Sequence, residues 1–478
     1  NTSVGSGSLA ANTTASNNTA VGLLALNANT TASNNTAVGY SALALNTTGA
    51  SNVALGLNAL SANTTAGNNV ALGASSLGSN TTGDLNVAVG ASALVSNTTA
   101  SQNVAMGFAA MQLTTTGNNN TAVGYIAMNA NTTGARNVAM GFGSLDANTT
   151  ASNNVAIGYQ ALTRNTTGSE NSAVGMQALE DNTTGALNTA MGQAALANNT
   201  TASSNTAFGY AALALNTTAA FNTAVGRDAL AKNTTGTENV AVGGNSLDNA
   251  TTANYNTAVG TSALGAATTG SNNTAVGINC LSVLSTGENN TAVGRLALGS
   301  VNVTGNNNTA MGDSAGENMS SGSNNLLLGH DAGITGSPGG NINTESNEIC
   351  FGDENITEAH IQVSLSVASD ERDKTDFTAL DVGLDFVKQL TPYTYKWDKR
   401  SKYGDKKSES YDLNAQTPDG THKEDWLDIG FKAQDVETLE KTAGYDKSNK
   451  TNLTVSLSGD GKQYSLQYEK FIPILVKA

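Results

Sequence analysis

The chain has 478 residues, 39% of them apolar and 12% charged, and a formal net charge of −15. That acidity argues against nucleic acid as a partner, because phosphate backbones select basic surfaces. No run of 18 or more apolar residues exists, so no membrane-spanning helix is expected.

From its first residues the chain is periodic. Eighteen glycines, Gly5, Gly22, Gly39 and onward to Gly294, recur every 17 residues, and looser copies follow at Gly312, Gly329 and Gly352. A period this short predicts a mainly β, parallel β-solenoid (β-roll) of 21 repeats over residues 1–352, each repeat one coil that cannot bury its apolar face alone. Asn1 already lies inside a repeat, with no initiator Met and no signal peptide, so the chain reads as a fragment or a processed form. Only five basic and fourteen acidic residues lie before Gly352; seventeen basic and twenty-three acidic residues, with both tryptophans, lie in the 126 residues after it. A neutral shaft is thus followed by a normally charged domain.

Within one coil, Asn35 to Ser51, Thr36-Ala37-Val38 has the composition of a strand. Thr36 and Val38 fall on one face, Ala37 and Gly39 on the other. The Val position accepts Leu55, Met106, Ile157 and Phe208, which suggests the coil interior; the nearly invariant Ala position suggests a face pressed against something close. Ala42-Leu43 is expected as a second short strand, with Leu43 completing the interior. Asn46-Thr47-Thr48-Gly49 is expected to turn the chain through φ > 0 at Asn or Gly, and stacked coils should align Asn on Asn as amide ladders. Two large apolar side chains per coil make a thin core, which calls for oligomerisation. The Ala/Gly face is the expected interface, with three chains around one axis. At about 4.8 Å per strand, twenty coil steps give a rod of roughly 95 Å.

Asn154-Val155-Ala156-Ile157-Gly158 and its copies resemble the repeats of trimeric autotransporter adhesin heads, which wind as left-handed parallel β-rolls. The 17-residue repeat is longer than that family's usual coil, so the handedness stays open.

Asn-Thr-Thr recurs thirteen times at one phase, at Asn12, Asn29, Asn46, Asn63, Asn80, Asn97, Asn131, Asn148, Asn165, Asn182, Asn199, Asn216 and Asn233. Each is formally an N-glycosylation acceptor. The favoured alternative is a turn asparagine repeated because the coil repeats. Threonine ladders also suggest ice binding, but Asn and Gly interrupt the array. Cys280 takes the slot of Ala263, and Cys350 that of Ala310, as small buried hydrophobes rather than disulfide or reactive thiols. His330, His360 and His422 show no metal-ligand spacing, no paired carboxylates suit glycoside cleavage, and no cofactor is expected. The insertion around Gly336-Ser337-Pro338-Gly339-Gly340 is expected to be a loop at the end of the shaft rather than a binding site.

After a connector, 353–368, the pattern changes at Ser369. Leu380, Leu384, Val387 and Leu390 are spaced for a helix. Thr391 to Trp397 predicts a turn into a strand, and Ile429 to Val436 a strand entering a helix. Leu453–Leu457 and Tyr464–Gln467 predict a hairpin around Gly459-Asp460-Gly461, and Tyr468 to Ala478 the start of a helix. Four ordered motifs stand out: Ser369-Asp370-Glu371-Arg372-Asp373-Lys374; Leu390-Thr391-Pro392-Tyr393-Thr394-Tyr395-Lys396-Trp397; Gly430-Phe431-Lys432-Ala433-Gln434-Asp435-Val436; and Tyr468 through Ile472-Pro473 to Lys477-Ala478. With these, residues 369–478 resemble the C-terminal intramolecular chaperone of endosialidase-type phage tailspikes and tail fibres.

The resemblance implies a small α+β domain that trimerises, guides folding of a β-rich fibre, and then cuts itself off before the motif serine, here between Ala368 and Ser369. Ser369 would be the nucleophile and Lys374 its base, a cis-acting serine autoprotease with no external substrate. Read from residues alone, the two are merely a surface pair. Asp373 stands where the family usually carries an apolar residue; an added carboxylate favours charged Lys374 and slow cleavage. The family also continues past this point as a long helix. The expectation is therefore a homotrimeric virion fibre, extracellular, that attaches to a host-surface glycan or protein receptor and touches other virion components, with neither nucleic acid nor membrane insertion. The rivals are a bacterial cell-surface trimeric adhesin with the same chaperone, the shaft of a glycan-degrading tailspike whose catalytic domain lies upstream, and a glycosylated eukaryotic-virus fibre.

Overall fold

The computed structural model describes residues 1–362, 368–406, 408 and 410–478. The chain divides into two compact units, Asn1–Asn279 and Cys280–Ala478. It is a 21-strand parallel β-solenoid with a small α+β region at its C-terminal end.

The first unit holds seventeen three-residue strands, β1 (Thr2–Val4) to β17 (Thr274–Val276), all parallel and in register one repeat apart. Thr36, Ala37 and Val38 pair with Val53, Ala54 and Leu55. The hydrogen bonds between coils extend beyond the strand. Thr36 N donates to Asn52 O at 2.8 Å, Leu43 N to Ala59 O at 3.0 Å, and Thr47 N to Thr64 O at 2.8 Å. Each coil therefore satisfies its backbone through its neighbours, which makes the unit a one-dimensional stack.

Leu43 and its equivalents lie inside as expected, but the strand faces the opposite way from the sequence expectation. Ala37, Ala54 and every equivalent alanine through Ala275 are sealed inside the coil, whereas Leu55 is 49% and Phe208 53% exposed. The alternation along the strand places residues on two faces correctly but does not say which face is enclosed. The lumen of a 17-residue coil has room for a methyl group at this point and no more. The Ala position is constant because the chain itself confines it, and the Val position varies because nothing within the chain does. The core of one coil is then Leu43, Ala37 and Ala42, with Asn35 and Asn46, all fully buried.

Ala42-Leu43 is not a strand. Ser41, Leu43 and Ser51 each adopt left-handed backbone, with φ of 52°, 52° and 61°. The expected turn at Asn46 or Gly49 lies at these three positions instead. A left-handed leucine costs about 1–2 kcal/mol, but full burial of its side chain contributes about 1.5–3 kcal/mol. The reversal that strains Leu43 is also what aims it into the lumen. Gly39 has φ of +138°, and a Cβ there would sit 2.4 Å from the carbonyl oxygen of Gly56, so the recurrent glycine is a stacking requirement.

Two asparagine columns run through the stack. Asn46 Nδ2 donates to Asn29 Oδ1 at 3.0 Å and to Gly49 O at 2.9 Å. Asn35 Nδ2 donates to Gly49 O, and Asn35 Oδ1 accepts from Asn52 N. Thr114 interrupts the first column and Ala250 ends it. The acceptors just before those breaks, Asn97 Oδ1 and Asn233 Oδ1, are buried without a hydrogen-bond partner.

The second unit contains β18 (Thr291–Val293), β19 (Thr309–Met311), β20 (Leu326–Leu328) and β21 (Ile349–Phe351), parallel and in register. Its C-terminal part carries a short α1 (Leu384–Val387), the antiparallel pair β22 (Tyr393–Tyr395) and β23 (Asp428–Gly430), and α2 (Ala433–Thr442). The hairpin β24 (Val455–Leu457) and β25 (Tyr464–Leu466) and then α3 (Phe471–Lys477) complete it. Val382, Phe386 and Ile474 form one small core; Val436, Val455 and Phe471 form another. The helical spacing from Leu380 to Leu390 yields only one turn of helix, because Gly383 starts it and Pro392 follows closely.

Candidate functional site

A single turn of 3₁₀ helix, Glu371–Asp373, follows Ser369. Asp370 caps it by accepting from Arg372 N at 2.9 Å, and Lys374 N donates back to Glu371 O at 3.1 Å. This turn reverses the chain enough for residues five apart to meet. Lys374 Nζ lies 2.5 Å from Ser369 Oγ and donates to it. Ala368, Ser369 and Lys374 are all exposed. Arg372 closes the turn from outside, its guanidinium on both carboxylate oxygens of Asp370 at 2.6–3.2 Å. That pair holds the Asp370 carboxyl below the usual carboxylate range and raises the arginine. Among the described residues, no ion pair within 4.0 Å joins Asp373 to Lys374. An ammonium donating to a hydroxyl is the resting arrangement of such a pair. A lysine acts as a base only after losing that proton.

Twelve of the thirteen sequon asparagines, Asn29 to Asn233, are fully buried; Asn12 in the first coil is half-buried. The Nδ2 atoms that a glycan would need already donate within the stack, as at Asn63, which bonds Asn46 Oδ1 at 2.8 Å and Ala66 O at 3.0 Å. Cys280 and Cys350 are buried, with thiols directed to the carbonyls of Ala292 and Pro338.

The outward face of the sheet carries what the lumen excludes. Phe108, Tyr125, Phe142 and Tyr159, each just after the recurrent glycine, stack with centroids 5.4, 5.4 and 5.3 Å apart and planes within 13°. They are about half exposed, beside the exposed Met106, Met140 and Ile157 of the Val position. The result is an apolar stripe running along the first unit.

Three polar clusters were not anticipated from sequence. The 23-residue step to the last coil sets His330 beneath Asp353, with Nδ1 at 3.4 Å from one carboxylate oxygen and 3.5 Å from Asp331. Burial pushes Asp353 up, but hydrogen bonds from the side chain and backbone of Asn355 and from His330 outweigh it and hold the carboxyl low. Arg295 and Asp313 continue the same column at 2.8 Å. On α2, the buried Glu440 accepts from Thr454 N at 2.7 Å, Thr454 Oγ1 at 2.6 Å and Leu453 N at 3.1 Å. Glu354, next to the last coil, pairs with Lys406. Column alignment at a 17-residue period signals the first cluster only if the longer last step is known, the second joins α2 to residues 13 and 14 positions on, and the third spans 52 residues.

No curated protein matches the chain. Residues 369–445, which begin at the Ser369–Lys374 turn, match the family model described as chaperone of endosialidase. A domain similar to that chaperone, placed after a β-solenoid shaft, fits a fibre or spike protein with a C-terminal chaperone.

Proposed function

We propose that this chain is the shaft and assembly domain of a homotrimeric virion fibre, used in attachment to a host surface. The observation that carries the reading is the match to an endosialidase-type chaperone directly after a parallel solenoid with an exposed apolar face. Identical coils pair almost equally well one repeat out of step. Three such shafts need a domain that gathers the chains at one end and sets their alignment before the coils associate. The interface in this reading is the outward Val-position and aromatic stripe, since the alanine face is closed within each coil.

The same domain then cuts itself away. Lys374, once deprotonated, takes the Ser369 hydroxyl proton as Oγ attacks the carbonyl carbon of Ala368. The C–N bond breaks, the amine of Ser369 leaves with a proton, and Ala368 is held as an ester on Oγ. Water hydrolyses the ester, giving the Ala368 carboxylate and restoring the hydroxyl. Lys374 is exposed in the single chain, so burial in the trimer is the natural trigger.

Expression of the chain tests both parts. Trimers by light scattering, two fragments whose junction is Ala368–Ser369 by mass spectrometry, and one uncut band for Ser369→Ala are expected. A trimer of unmutated protein that stays full length refutes the cut, and a stable monomer refutes the assembly.

A further inference from the structure

The last coil is six residues longer than its neighbours. In the coil before it the offset is 17, as Thr309 pairs with Leu326; from Asn318 the offset is 23, as Asn318 meets Asn341 and Ser320 meets Asn343. The surplus is 334–339. Its Ser337 is buried, and its hydroxyl accepts from Gly333 N and sits within 3.0 Å of the carbonyls of Ile334 and Gly340. The loop is thus closed on itself rather than left as a slack excursion.

This loop and the residues after β21 face the C-terminal domain. Lys399 Nζ donates to Glu354 O at 2.5 Å, Lys406 pairs with the Glu354 carboxylate, and Asn341 N donates to Asp460 Oδ2 at 3.3 Å. The Glu354 side chain is only 9% exposed. Three glycines permit the approach. A Cβ on Gly336 would lie 2.8 Å from Ser401, one on Gly340 2.9 Å from Ser458 and Asp460, and one on Gly459 2.3 Å from Glu345. Between these contacts a cavity of about 840 Å³ separates Pro338 and Asp353 from Trp397, Trp426 and Tyr468. All these shaft-side members, 336–354, precede the proposed cut, and all these domain-side members, 397–468, follow it.

We infer that the last coil is a docking surface for the chain's own C-terminal domain, and that this contact holds the domain on the shaft after the peptide bond between them is broken. The inference rests on the cleavage reading only for its biological setting. The Lys406 ammonium on the Glu354 carboxylate forms an attraction that salt weakens where water reaches it, and Lys399 adds a hydrogen bond to the Glu354 backbone carbonyl. Hydrolysis alone then leaves a nicked but joined particle, and release requires a second event that weakens Glu354 and Asp460.

The test separates the two readings. A site for a sequence-specific protease is placed between Gln362 and Ala368 of the full chain carrying Ser369→Ala, so the nick is made at will whether or not the native chain cuts itself. After complete nicking, the fragments should co-elute in size exclusion at about 50 mM salt and separate at about 1 M. Glu354→Gln combined with Asp460→Asn should speed their separation about tenfold or more at low salt. Immediate separation of the fragments at low salt overturns the inference. So does co-elution that neither high salt nor the two substitutions disturbs, since the joining contact is then another one.

Discussion

Asn63 donates its amide to the carbonyl oxygen of Asn46 at 2.8 Å, and both side chains are wholly enclosed. A polar column inside so narrow a coil is stable only while every member is paired, because an unpaired buried acceptor carries its full desolvation penalty. The column breaks at Thr114, which leaves Asn97 Oδ1 without a partner.

Thr114→Asn should therefore stabilise the first unit by about 1 kcal/mol, and Asn63→Leu should destabilise it by about 1–3 kcal/mol. Urea unfolding of both variants measures the difference. Equal destabilisation by the two would show that the column contributes nothing as a column.

Ala54→Leu and Leu55→Gln change neighbouring residues on opposite faces of one strand. The first overfills the lumen and should destabilise by about 1–3 kcal/mol or more. The second should leave coil stability nearly unchanged and weaken association between chains. Circular dichroism melting and light scattering on both variants read these outcomes; a Leu55→Gln protein that unfolds while Ala54→Leu does not would restore the reverse packing.

Glu440→Ala strips three hydrogen bonds from Leu453 and Thr454 and leaves the two Thr454 donors buried. A loss of about 2–3 kcal/mol from the C-terminal region is expected, against about 1 kcal/mol for Thr454→Val. Hydrogen exchange at 453–457 resolves the effect locally, and unchanged protection in Glu440→Ala would remove the carboxylate from the account of this core.

The Asp353 carboxyl is held below its ordinary value of 3.8. A group bound to fewer protons when folded contributes stability above its unfolded pKa and loses it as pH falls through the lower folded value. The last coil should thus loosen below about pH 4, seen as faster exchange at 349–356, and Asp353→Asn should flatten that dependence. An unaltered pH profile in the variant would assign the loosening to other carboxylates.

The repeat length, the inward Leu43, the asparagine columns and the small-residue strand were legible because each follows from position within a fixed period. The enclosed face was not. Ala37 and Val38 alternate whichever way the strand is turned, and the coil closes around alanine only because Ser41 and Leu43 adopt left-handed backbone, a feature that no propensity of leucine announces. At the candidate cleavage site, the five-residue separation of Ser369 and Lys374 was visible, while the capped turn that joins them depends on Asp370 and Arg372 acting together. Lys406 and Asp460 meet the last coil from positions 52 and 119 residues further on, beyond the reach of any local pattern.

Because each coil in the first unit bonds only to the one before and the one after, a whole turn is a self-contained module whose upper surface complements the lower surface of the next. Removing or copying 17 consecutive codons in this stretch rejoins strand to strand and glycine to glycine, and changes the reach by about 4.8 Å. Length is then adjustable over evolutionary time in small, even increments, with neither terminus having to be redesigned.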